Sequence, residues 1–379
     1  MRELFEGKSG VVGEDWTDGF VTHLRHSGAA KRNPEPTTGR SVSGRFRVLA
    51  FGEPRNDGAG SWPTVVMRSA WLATALLVAA TPVSPASIFV ASQGASQLAR
   101  IDTGTNTVTA TTQVQTGPAA VAADARGRLY LSHPDASAIT IVEGETARVL
   151  KRLTYKGQAF GIAADPLGRF VYVGDWTTGR VSRLSAETGA VEGVVAVGKD
   201  PANLVLDRAG RIWVADRESH QVSVIDAARM ERVATIAAGE APFALCLSPS
   251  QNRLYVANVR SNDLTVIDTA ALKVVATVPV GAMPYGVATS ADGARILVSN
   301  QHAGTVTILD ANSLTLTDTI TVGRYPEGIV VADARAYVAN WFSDDVSVID
   351  LATLRETGRI KVGAGPRNLG IGQTGEAGR

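Results

Sequence analysis

Chemistry in this chain would have to be built from few parts: one cysteine, Cys246, and five histidines in 379 residues. Cys246 sits in an apolar run, Phe243-Ala-Leu-Cys-Leu247, and reads as a small buried hydrophobe. One cysteine allows no disulfide within the chain, and no CxxCH run is present for covalent haem attachment. There is no Gly-x-Ser-x-Gly elbow and no HExxH pair. A metal site needs several His, Cys or carboxylate ligands that converge. No such spacing appears, so neither a cofactor nor a metal is expected, and no residue is assigned a catalytic role. The residues that stand out suit binding instead: His133, Trp176, Arg217, Tyr285, His302, Tyr325, Glu327, Trp341 and Arg367. Trp and Tyr beside a concavity favour contacts with sugars, aromatic rings or peptides. Glu327 and Arg367 could form a rim ion pair, or a patch for an anionic or polar ligand flanked by Tyr325 and Trp341.

The elements that must position these side chains are repeated. An aromatic or Leu opens a four-residue anchor at Phe89, Tyr130, Tyr172, Trp213, Tyr255, Leu297 and Tyr337, with spacings of 41, 42, 41, 42, 42 and 40. A second anchor follows about ten residues later in each copy (Ile101-Asp102 through Ile349-Asp350), and a third is a loop ending in proline (Pro118, Pro201, Pro242, Pro284, Pro326, Pro366), with Ala159 in the second slot. Three independent anchors with one period and one count identify seven repeats. Each period carries four short strand signals, several alternating cleanly, as in Val222-Ser-Val-Ile-Asp226. Four strands in about 41 residues make one propeller blade. The expected fold is therefore all-β: a seven-bladed β-propeller of four-stranded antiparallel blades over residues 87–372.

Phase adds a further expectation. The repeat array starts at a second strand, near Ile88, and ends with a lone first strand, Pro366-Arg-Asn-Leu-Gly-Ile371. The ring should close by pairing residues 366–372 beside 88–92, burying Leu369 and Ile371. The loops before each inner strand and those after each second strand then share one face around the central channel. The nine candidates fall on that loop face, and residues after the loop proline (Ala119, Phe160, Ala202, Phe243, Tyr285, Glu327, Arg367) approach the channel. Positions that follow the repeat read as structural. Asn258, Asn300 and Asn340 should bond nearby backbone in turns, and Asp226, Asp268, Asp310 and Asp350 should cap strand-ending turns. Departures from the repeat carry the functional signal: His133 in place of Asn or Asp, Trp176 and Trp341 in place of small or polar residues, and the opposite charges Glu327 and Arg367. His220 aligns with Gly304 and reads as solvated loop.

Ahead of the repeats, residues 67–86 read as a secretory signal peptide: Arg68, an 11-residue apolar run from Ala70 to Ala80, and a Ser84-Pro85-Ala86 cleavage signal. Met67 is then the expected start, with residues 1–66 an extension that carries no convincing core; an uncleaved anchor is the competing reading. Residues 373–379 read as a disordered tail. The formal net charge is +1, without the basic surplus that phosphate neutralisation needs, so nucleic acid is not an expected partner. No membrane span is expected after cleavage.

Tyr255-Val-Ala-Asn258 and Tyr337-Val-Ala-Asn340, with their flanking Val-Gly-x-x-Pro and Val-x-Val-Ile-Asp elements, resemble the signature of YVTN-family propeller repeats. The resemblance spans residues 87–372. It implies an exported bacterial protein, secreted, periplasmic or at the cell surface, that binds a protein or small polar ligand on its loop face as a monomer without catalysis. More distant seven-bladed relatives imply alternatives: a lactonase-like hydrolase, a streptogramin-lyase-like enzyme using His133, His302 and Glu327, or a haem d1-type module with His133 or His302 as axial ligand. Fold alone does not choose among these.

Overall fold

The computed structural model describes residues 86–372, so the expectations for residues 1–66, the signal segment and the tail lie outside the described residues. Seven four-stranded antiparallel sheets are arranged in a ring. The chain is a seven-bladed β-propeller. In the fifth blade the strands are Pro242–Leu247, Arg253–Asn258, Asp263–Asp268 and Lys273–Pro279. In each blade the second strand is buried along nearly its whole length, whereas the fourth is mostly exposed. That outer edge carries Lys, Arg, Glu and Thr, which discourage pairing with another chain.

Blade one is shared between the two ends of the array. Strand Pro366–Gly372 pairs antiparallel with Ser87–Ser92, joining Gly372 to Ser87 and Leu369 to Val90. Leu369 is buried as expected. Ile371 is not: it lies on the same face of the strand, but at the end of the channel away from the loops, where it is 36% exposed. Blade seven grips blade one through Arg335 Nη1 to Thr103 O (2.9 Å), Thr103 Oγ1 to Asp333 Oδ2 (3.0 Å) and Tyr337 Oη to Asn106 Oδ1 (2.9 Å).

The arginine latch recurs around the ring. Arg211, Arg253 and Arg295 open their second strands and donate to Thr269 O, Ala311 O and Leu351 O of the next blade. Blades one and three have Ser87 and Phe170 at this position. There Arg100 and Arg183, on the adjacent third strand, reach Glu145 O and Ala227 O instead.

The recurring carboxylates act as expected: Asp268 Oδ1, for example, accepts from the N–H groups of Ala270 and Ala271 at 2.9 and 2.7 Å. The recurring asparagines act differently. Asn258 Nδ2 donates to Asp263 Oδ1 (2.6 Å) and Thr265 Oγ1 (2.8 Å), so the bond joins side chains on neighbouring strands rather than a turn backbone. Asn300 and Asn340 repeat the pattern with Thr307 and Ser347. The glycine of Val-Gly-x-x-Pro lies over this amide: a Cβ at Gly281 would sit 2.5 Å from Asn300 Cγ.

His133 holds the asparagine position in blade two, and its environment corrects its place among the candidates. It has 0% exposure, buried in the wall rather than displayed on the loop face. Its Nδ1 lies 3.4 Å from Thr116 O, while Nε2 and the facing Thr140 Oγ1 both lack partners. Burial pulls its pKa down to about 4. A histidine held neutral in the fold contributes stability above its unfolded pKa near 6.5, lost as pH falls toward 4. His133→Asn restores the bond that the other blades make to the third strand, worth about 1 kcal/mol. Urea melts should therefore show the variant equal to or better than the parent at pH 7, and clearly better at pH 4.5. Parallel pH profiles would contradict this account.

Candidate functional site

The loop-face mouth of the channel is filled, and a backbone device fills it. The residue before each loop proline takes a left-handed conformation: Asp200, Ala241, Met283 and Tyr325 have φ of 53–61°, where Gly117 and Gly365 sit without a Cβ penalty. The register then slips just past the proline. Pro284 pairs with Asn300 but Gly286 with Ser299, leaving Tyr285 as the extra residue of a β-bulge. Phe243 and Arg367 are bulged in the same way. A bulge re-aims its extra side chain, here toward the channel.

The result is a layer across the mouth. Phe160 packs on Trp176 (4.5 Å between centroids) and Phe243 (6.0 Å), and Phe243 on Tyr285 (4.1 Å). Arg367, from blade one, has its guanidinium carbon 5.3 Å from the Phe160 ring, 5.9 Å from Tyr285 and 5.7 Å from Trp341. Those rings belong to blades three, six and seven, so the guanidinium lies near the ring axis, in cation–π contact on several sides. It donates to Gln93 Oε1 (2.8 Å) and Tyr285 Oη (2.5 Å). Burial raises the Tyr285 phenol above its ordinary range.

Glu327 and Arg367 do form an ion pair, Nε to Oε2 at 3.7 Å, but beneath the rim rather than on it: they are 4% and 5% exposed. Glu327 Oε1 accepts from Gln301 Nε2 at 2.8 Å, and Oε2 has no hydrogen-bond partner. Burial pushes the Glu327 carboxyl up to about 7, against the opposing pull of Arg367 and Gln301.

Around this layer lies an accessible rim. Tyr325 packs between His302 (5.6 Å) and Phe342 (4.8 Å), and Phe342 is 49% exposed. Arg217 stacks over Trp176 at 5.9 Å and pairs with Glu218. The structure thus gathers eight of the nine sequence candidates around one mouth and separates His133 from them. His220 is exposed, yet it is not simply solvated: its Nδ1 accepts from the Ala241 N–H at 3.0 Å.

Sequence reasoning passed over Gln93 and Gln301. Their signal was positional, since each follows directly on its anchor, at the repeat position that also holds Trp176, Arg217 and Trp341. Among the described residues no cluster of three or more His, Cys, Asp or Glu could hold a metal ion, and no helix is long and apolar enough to cross a membrane.

This fold and mouth define a seven-bladed propeller protein with a plugged channel. A family described as the Cytochrome D1 heme domain matches residues 206–339, part of the chain. No curated protein matches. Among solved structures, a functionally unknown protein from Desulfotomaculum acetoxidans DSM 771 superposes with a TM-score of 0.66 at 13% identity, covering 76% of this chain and 99% of that one. A protein from Lactobacillus plantarum superposes with a TM-score of 0.66 at 18% identity, covering 76% and 100%. At these identities the likeness shows the fold alone. The hydrazine synthase of Kuenenia stuttgartiensis fits more loosely, with a TM-score of 0.46 at 19% identity over 63% of this chain and 97% of that one, and carries no argument.

The partial match raises the question of a haem. Its span contains two histidines, His220 and His302. His220 Nδ1 is engaged by Ala241, and His302 lies on the rim against Tyr325. The axis itself is taken by Phe160, Phe243, Tyr285 and Arg367. These residues do not fit a macrocycle seated over the channel mouth.

Proposed function

We propose that this is an exported, non-catalytic binding protein of the YVTN-repeat type, which docks a protein or small polar ligand on the loop-face rim. The observation that carries the reading is the aromatic run His302–Tyr325–Phe342, its two ends exposed, beside a mouth closed by a packed aromatic layer. A closed mouth leaves no deep chamber for a reacting group on this face. An exposed aromatic rim over fixed backbone is the arrangement that recognition uses, because rigid rings lose little entropy on contact. Export is supported by the signal-like segment of residues 67–86.

A thermal-shift screen of oligosaccharides, peptides and aromatic acids tests the reading. We expect a ligand whose stabilisation falls at least tenfold in apparent affinity in Tyr325→Ala/Phe342→Ala, with the melting temperature of the free variant nearly unchanged. Ligands bound equally by the variant would move the site elsewhere. A Soret band from protein grown with haem, lost in His302→Ala, would replace this reading with the haem one.

A further inference from the structure

Behind the aromatic layer the channel continues as a cavity of about 470 Å³, walled by the inner strands of all seven blades. That is within the range of about 300–1,000 Å³ typical of small-molecule sites. Its two ends differ. Phe160, Phe243, Tyr285 and Arg367 at the loop end are almost fully buried, whereas Ala164, Leu206, Thr289, Val331 and Ile371 at the far end are partly exposed. The lumen is therefore blind at the loop face and open on the opposite one.

Its lining side chains are mostly apolar, although polar atoms form a substantial share of the exposed wall. Asn368 Oδ1 accepts from the Val121 N–H, Asn203 Oδ1 is buried without a partner, and Thr289 lies toward the open end. The Cys246 thiol is uncharged, its pKa pushed up to about 11 by burial. Among the lining residues one carries charge, and it is Arg367 at the blind end. Its counter-charge, Glu327, does not line the lumen.

We propose that this channel is a second binding site, entered from the face opposite the loops, for a small molecule with an aliphatic or aromatic body and one carboxylate head directed at Arg367. The apolar part of the wall favours the body at about 25 cal/mol per Å² of apolar surface removed from water. A cation at the end of a low-dielectric tube draws one anionic group to one depth, since Coulomb energy grows as the dielectric falls. A neutral guest gains the wall contacts but not the head contact. Glu327 tunes the affinity. Around it stand Arg367, Gln301, Tyr285 and Tyr325, and its charge, when ionised, opposes that of the arriving head. The site shares no entrance with the loop-face rim and does not depend on the reading given for that rim.

Isothermal titration of the whole chain with octanoate and with 1-octanol tests the proposal. We expect one octanoate per chain, bound at least tenfold more tightly than octanol, with affinity falling severalfold from pH 6 to pH 8. Ala164→Trp and, separately, Thr289→Phe place bulk at the open end, away from Arg367. Either one that keeps the parental melting temperature should lower octanoate affinity at least tenfold, while Phe342→Ala leaves it unchanged. No octanoate binding at millimolar concentration would overturn the proposal. So would equal affinity for octanol, or binding that survives a folded blocking variant.

Discussion

A chain ended after Gly365 is expected to melt at least roughly 10 °C below the parent, and to expose enough apolar surface to bind a dye such as ANS. The lost segment is one of twenty-eight strands among the described residues, and it alone among them joins the two ends of the repeat array. It forms the whole inner ladder of blade one, from Ser87–Gly372 to Ser92–Pro366. It buries Leu369, worth about 1.5–3 kcal/mol on its own. Asn368 ties it to the inner strand of blade two through the Val121 N–H. It also carries Arg367, whose guanidinium holds Tyr285, Gln93 and Glu327 together near the axis. A ladder of about six residues adds hydrogen bonds of about 0.5–1.5 kcal/mol each. The sum is a large part of a stability margin of about 5–15 kcal/mol. In a domain of this size 1 kcal/mol moves the midpoint by about 2–4 °C. A truncated chain that melts with the parent would mean that the ring is held by the Arg335, Asp333 and Tyr337 contacts across the seam, and not by the shared blade.

The fold was legible because the repeat writes each instruction seven times. The aromatic anchors and the loop prolines each survive a departure in one copy and the Asp turns departures in two, Glu143 and Ser185, and the phase of the first and last strands dictated their pairing. What stayed hidden needed geometry finer than period. The bulge after the proline cannot be read from residue types, since Ala202, Phe243 and Glu327 share one backbone event with different side chains. Yet that bulge decides whether a mouth is open or plugged. His133 runs the other way: a departure from the repeat that carried a functional expectation is fully buried at the asparagine position. Arg183 and Arg100 escaped notice because they compensate for Phe170 and Ser87 from a different strand, a correlation across the sheet rather than along the chain. The rim was legible to the extent that Trp176 and Trp341 interrupted smaller or polar residues at a fixed repeat position.

Glu327→Gln should be more stable than the parent at pH 8 and equal to it near pH 5, and the sign of that difference decides what the buried pair does. Glu327 and Arg367 would ordinarily be described as a stabilising salt bridge. The pair is long, at 3.7 Å, and both partners are buried. Taking two charges out of water costs several kcal/mol per ion, which attraction at this distance need not recover. The raised carboxyl says that it does not: the pKa stands at about 7 against 4.5 for the free side chain, with burial the largest cause. Because the folded value lies above the unfolded one, the contribution is fully present below about pH 4.5 and lost as pH rises through 7. The shift corresponds to roughly 3 kcal/mol. Glutamine copies the protonated acid, keeps a partner for Gln301 and does not titrate, so the difference between the two proteins isolates this one group from His133, whose effect runs the other way with pH. Urea melts at pH 5, 6.5 and 8 measure it. If the attraction to Arg367 outweighed desolvation, the variant would instead be the weaker protein at pH 8, Glu327 would be ionised throughout the neutral range, and the channel would end on a neutralised pair rather than on a cation. The stability of one substitution thus also reports the charge that a ligand in the lumen would meet.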